Sequence, residues 1–287
     1  MRLQIADWAI DIACNEEAVA YLPNLKPFLR TTAKEQSPIC RIDTGCTLEA
    51  AATVPTLTNF LDGKTVRIWL MPDHYRIALK FDNSAYTYRL QTDCQWTHIQ
   101  TNWQTGHPDS YAALNDLIML AFIYSTAFRR TILIHASCIA VNEEGIAFIG
   151  PSGIGKSTHS NLWLQHIPGS WLLNDDQPVL RLMPDNTIRA YGSPWSGKTP
   201  CYRNEKVRLK TVLFMEQSDK NQAIGLGGIE TFQKLLKATS LIGRDATSFV
   251  AISKTVADMA GIIPAYTLKN VPEKSAAHLS YTLFKSV

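Results

Sequence analysis

Nine consecutive residues carry the densest chemical spacing in the chain: Gly150-Pro151-Ser152-Gly153-Ile154-Gly155-Lys156-Ser157-Thr158. They fit G-x-x-x-x-G-K-[ST], in which glycines let successive backbone N–H groups converge on phosphate oxygens. The N-terminus of a following helix adds positive potential at the same point. Gly150, Ser152, Gly153, Gly155 and Thr158 are therefore expected to line a phosphate cradle. Lys156 would reach the β- and γ-phosphates, and the Ser157 hydroxyl would ligate Mg2+. The flanks suit the motif, with the β-prone run Ile146–Ile149 before it and a helical pattern over Thr158–Leu164 after it.

A second constellation follows shortly. Trp171-Leu172-Leu173-Asn174-Asp175-Asp176 reads as a buried strand that ends in two carboxylates. Most adjacent acid pairs are solvated turns. Beside a nucleotide, one carboxylate could hold Mg2+ while the other accepts the proton of an attacking hydroxyl. A third candidate, His135, sits in the apolar run Thr131–Val141, one hairpin before the glycine-rich turn. Taken alone, a histidine in such a run reads as a packed, hydrogen-bonded residue.

Together, His135, the hairpin, the glycine-rich turn and the paired aspartates resemble the catalytic domain of HPr kinase/phosphorylase. That family comprises bacterial serine kinases with a P-loop fold akin to phosphoenolpyruvate carboxykinase. The resemblance spans roughly residues 131–226 and is strongest from His135 to Asp176. It implies ATP and Mg2+ as cofactors, and a Ser or Thr hydroxyl of a small protein or peptide as acceptor. By the same resemblance Asp176 is the proton acceptor and Asp175 its acidic neighbour, His135 orients Asp176, Lys156 binds phosphate, and Ser157 holds the metal; the context of the paired acids then assigns Asp175 to the metal beside Ser157. A homo-oligomer is implied as well. There are departures: Thr158 stands where the family has an acidic residue, and Thr187-Ile188-Arg189-Ala190 lacks its metal-binding Glu. No arginine near Ala223-Ile224-Gly225-Leu226 matches its later active-site arginine. The loop Gly192–Pro200 is similar instead to divergent members of the superfamily, including kinases that tailor ribosomally made peptides. Lys198 or Arg203 could then stabilise the transferring phosphoryl group. Two rival readings stay open: a phosphoenolpyruvate carboxykinase-like enzyme, and a non-catalytic nucleotide-dependent sensor.

The elements that must position these residues divide in two. Residues 1–107 read as a β-rich amino-terminal domain, with one strand over Leu3–Ile12, a short helix from Glu16 to Leu22, and an antiparallel meander over residues 65–100. His74 and His98 in it are isolated and expected to serve surface or packing roles. Residues 108–287 read as an α/β P-loop nucleotide-binding kinase domain of the HPr kinase type. A long helix from Ser110, its expected N-cap, to Arg129 either opens that domain or clamps the two together. Gly145 is expected to supply the positive φ of the hairpin turn.

Composition bounds the rest. The 287 residues are 46% hydrophobic and 18% charged, with net charge +3 and no block of like charges. That excludes a strong electrostatic case for nucleic acid or membrane. The first eight residues lack a leader pattern, and no apolar run is long enough to span a bilayer. Six scattered cysteines without a C-x-x-C pair suit reduced thiols, so a cytoplasmic protein is expected.

Overall fold

The computed structural model describes residues 1–14, 16–30, 37–61, 63–197 and 199–287. It is a mixed α/β protein with two sheets. Two compact units emerge, one of Met1–Arg129 with Ile242–Phe249, the other of Arg130–Leu241 with Val250–Val287. The helix from Ser110 thus falls in the first unit, and the division lies after residue 129 rather than 107.

The first unit is built on an eight-stranded sheet. Leu3–Ile12 is two strands, β1 (Arg2–Ile5) and β2 (Trp8–Ala13), because Ala6 and Asp7 take positive φ and fold the run into a hairpin. A short 3-10 helix over Glu16–Tyr21, where a short helix from Glu16 to Leu22 was expected, and a second over Pro23–Phe28 follow. Then come β3 (Cys40–Asp43), β4 (Leu57–Leu61), β5 (Lys64–Leu70), β6 (His74–Phe81), β7 (Tyr88–Asp93) and β8 (His98–Thr101). β5 to β8 form the expected antiparallel meander, but β2, β3 and β8 pair in parallel, so the sheet is mixed. Alternation sorts its faces: Ile68, Ile77, Leu79, Leu90 and Ile99 are buried, while the residues between them are not. His74 pairs with Asp73 and His98 with Asp43, each at 2.7 Å, as surface histidines do. The helix α1 covers Ser110–Ser125 and ends before Arg129; its N-cap is Asp109, with no side-chain cap bond. Ser110 is the first helical residue instead, and its carbonyl accepts from the Trp103 indole at 2.5 Å.

In the second unit, β9 (Thr131–Leu133) and β10 (Ala136–Val141) separate at Ile134–His135 and join different parts of one sheet. β10 turns at Asn142, whose φ of 55° makes the hairpin, into β11 (Glu144–Ile149). Gly145 lies inside that strand, where a Cβ would come within 2.6 Å of Val207. The chain continues through α2 (Lys156–His166), β12 (Ser170–Asn174), β13 (Val179–Leu182), β14 (Ile188–Tyr191), β15 (Lys206–Gln217) and β16 (Gln222–Gly225). It closes with α3 (Gly228–Ala238), α4 (Ala246–Ala260), β17 (Ala265–Asn270) and α5 (Lys274–Ser286). The sheet runs β12-β10-β11-β15-β14-β13-β9, with β17 beside β15 and β16 beside β17. β11, β15 and β17 are parallel, and Phe148, Leu213 and Leu268 on them pack against Trp163 of α2 and Phe284 of α5. Each such side chain contributes on the order of 1.5–3 kcal/mol by burial. Among the described residues all six cysteines are unpaired, and no helix is long and apolar enough to cross a membrane.

Candidate functional site

β11 delivers the chain to residues 150–155, and α2 begins at Lys156. Gly153 and Gly155 have φ of 80° and 105°, a region where L side chains are strained. The turn therefore depends on glycine at these two positions. Ser152, Gly153, Ser157 and Thr158 are exposed around the α2 N-terminus, so its free N–H groups face an accessible surface.

Lys156 is buried to 8% exposure, and its ammonium has three acceptors for three N–H bonds. It donates to Gly150 O at 2.9 Å, Pro151 O at 3.3 Å and His135 Nε2 at 2.9 Å. An ammonium only donates, so Nε2 accepts and the imidazole proton lies on Nδ1. Nδ1 in turn contacts Asp176 Oδ1 at 2.9 Å. Burial lowers the Lys156 pKa from its ordinary value, while the charges of Asp176 and Asp175 oppose that shift.

The two aspartates at the end of β12 face different partners. Asp175, 5% exposed, accepts from Ser137 Oγ at 3.0 Å through Oδ1 and from Ser157 Oγ at 3.3 Å through Oδ2. Ser137 on β10 also meets Ser160 of α2 at 2.7 Å, completing a buried hydroxyl–carboxylate network. Asp176 is about 30% exposed and holds His135. The fold brings together Lys156, Ser157, Asp175 and Asp176, which the motif and the paired acids singled out, and His135, which only the family resemblance did.

Spacing gave no sign of the residues behind them. Asn174 is fully buried; its Oδ1 accepts from the backbone N–H of Asp176 and Gln177 at 2.9 and 2.8 Å. Its Nδ2 reaches Ser193 Oγ at 3.2 Å and Trp195 O at 3.1 Å, tying the aspartate turn to the Gly192–Asn204 loop. In that loop Gly197 passes so close that a Cβ would lie 3.4 Å from the Asp176 Cβ. The loop does approach the carboxylates. Arg203 does not serve them: its guanidinium lies over the Trp171 ring at 5.5 Å and 3.9 Å from Glu205. Lys198 lies outside the described residues.

The donor set suits a hard cation. Ser157 Oγ and Asp175 Oδ2 are adjacent oxygens, as Mg2+ requires. Among the described residues no group of three His, Cys, Asp or Glu side chains could cage a metal, so phosphate and water oxygens would complete the shell. Beside the turn opens a concavity of about 400 Å3, lined by Gly153, Gly155, Thr158, Leu162, Gln217 and Asn270. Such an arrangement can bind an anion at the helix terminus, hold a divalent cation, and present one carboxylate as a base.

No protein-family model matches the chain, and no curated protein matches it. Among solved structures it is similar to the HPr(Ser) kinase/phosphatase from Coxiella burnetii, with 14% identity and a TM-score of 0.31. The match covers 54% of this chain and 88% of that one. A superposition this loose is a distant likeness of fold and transfers no residue role.

Proposed function

We propose that the protein is an ATP-dependent phosphotransferase that moves the γ-phosphoryl group to a Ser or Thr hydroxyl of a small protein or peptide. The reading includes a P-loop kinase domain of the HPr kinase and phosphoenolpyruvate carboxykinase type. The observation that carries it is the division of labour at the end of β12, where Asp175 binds the Ser157 hydroxyl and Asp176 binds the His135 imidazole.

In this reading the backbone of residues 150–155 and the α2 N-terminus hold the phosphates, and the concavity beside them takes the base and ribose. Lys156 exchanges Gly150 O, Pro151 O and His135 for phosphate oxygens. Ser157 and Asp175 would hold Mg2+, which would supply neutralisation of phosphate charge. The acceptor oxygen attacks the γ-phosphorus as the bond to the β–γ bridging oxygen breaks, and ADP leaves. The hydroxyl proton passes to the Asp176 carboxylate, kept in place by the Nδ1–H of His135.

The test is transfer of γ-labelled phosphate from Mg·ATP into a fractionated cell extract, with wild type beside Lys156→Ala and Asp176→Asn. Label in one small-protein or peptide fraction, with wild type only, is the expected result. ATP binding without transfer or hydrolysis would overturn the catalytic reading in favour of a nucleotide sensor.

A further inference from the structure

The solvent face of the first unit's sheet carries a cluster the phosphotransfer reading does not use. Arg67 on β5 pairs in register with Ala78 on β6, and Ala78 pairs with Arg89 on β7. Two interstrand spacings put the arginines roughly 10 Å apart, either side of a methyl side chain. Arg76 lies two residues from Ala78 on the same face, about 7 Å along the strand. These residues line a concavity of about 250 Å3, walled on one side by the segment from Leu48 to Ala51.

None of the three guanidinium groups has a hydrogen bond or ion pair with a described residue. Two other arginines of this sheet are matched: Arg2 pairs with Asp11, and Arg41 with Asp43. The Nε of Arg76 is moreover buried and donates to nothing described, a costly state for a charged donor. Glu49, exposed on the wall, is the one carboxylate in the lining. An acceptor-rich, negatively charged occupant would satisfy all three arginines.

We infer that this concavity docks an acidic peptide segment of the phosphoryl acceptor, an assignment of ownership that rests on the phosphotransferase reading. Guanidinium forks match carboxylates bidentately. On an extended peptide, side chains of one face recur about every 7 Å, a little less than the roughly 8–10 Å between the arginines, a gap that long carboxylate side chains and guanidinium arms can span. Leu48, Ala50 and Ala51 of the wall and the Ala78 floor suit side-chain methylenes. A net charge of +3 and the absence of like-charge runs disfavour nucleic acid as the occupant.

The test is fluorescence anisotropy of the full chain with labelled hexaglutamate, without nucleotide, beside labelled hexalysine and with inorganic phosphate as competitor. We expect saturable hexaglutamate binding, weakened about fivefold or more by Arg76→Gln and by at least tenfold by the Arg67→Gln/Arg89→Gln pair. Arg41→Gln, on the same face but already paired, should leave it unchanged, and all variants should melt as wild type does. Asp176→Asn should bind the peptide normally, so loss of phosphotransfer and loss of docking are separable. Absence of hexaglutamate binding, or equal weakening by Arg41→Gln, would overturn the inference. So would displacement of the peptide by millimolar phosphate bound at the same arginines, which would make this a small-anion pocket.

Discussion

In the proposed phosphotransfer, Asp176→Asn keeps the shape of the side chain while removing the proposed base. We expect kcat for phosphoryl transfer to fall on the order of 10²–10⁴-fold, with nucleotide affinity little changed, as single-turnover and equilibrium-binding measurements would show. His135→Ala should separate the two quantities differently. It removes an orienting donor from Asp176 and one of three acceptors from Lys156, so kcat should drop while ATP binding holds or tightens. Asn174→Ala leaves the part-buried N–H groups of Asp176 and Gln177 without their acceptor, at about 1–3 kcal/mol in all. Chemical denaturation should register a stability loss of that order, with activity lost as the aspartate turn loosens. At this scale the sequence was readable where chemistry lies in consecutive residues, as in 150–158 and Asp175-Asp176. Ser137 and Asn174 were not readable, because their roles come from pairing β10 with β12 and from a loop that returns to Asn174. No local spacing encodes either contact.

Among the elements, α2 carries a buried titratable group. His159 is 1% exposed, its ring lies 4.6 Å from that of Phe148, and its Nε2 is 2.9 Å from Ser280 Oγ on α5. Its Nδ1 has no partner among the described residues, so a second ring proton would be buried unpaired. Burial accordingly pushes its pKa down to about 4. In the unfolded chain the group would titrate near its ordinary value, so acidification protonates the unfolded state first. The contribution of His159 to stability should be constant well above pH 6.5 and fall by roughly 3 kcal/mol as pH drops from there to about 4. Denaturation midpoints across that range should fall less steeply in His159→Gln than in wild type. Elements with clear periodicity were legible before the fold was known, including α5, β12 to β14 and the β5–β8 meander. Ala6-Asp7 was missed because the hairpin turn there uses positive φ without a glycine to mark it. β4 was missed because Phe60 on it is exposed and the strand does not alternate toward a core.

For the molecule as a whole, the division near residue 107 expected from the break in strand pattern there overlooks two things. Helix α1 stacks Tyr124 on Trp96 of the first unit, with centroids 4.7 Å apart. Ile242–Phe249 also belongs to that unit, where Asp245, 3% exposed, accepts the Tyr75 hydroxyl at 3.0 Å. A discontinuous unit leaves no compositional mark, since the returning segment reads like any loop entering a helix. A chain starting at Arg130 would retain 242–249 without the residues that bury it. We expect that fragment to melt well below the full chain or to aggregate, in thermal unfolding followed by light scattering. The same discontinuity sets an order of assembly during synthesis. Roughly 110 residues separate the two pieces of the first unit. At about 5–20 residues per second, they emerge from the ribosome some 5–20 s apart. The amino-terminal sheet therefore spends that interval lacking the segment that contributes Asp245, and is completed only after the residues from His135 to Asp176 have already been translated.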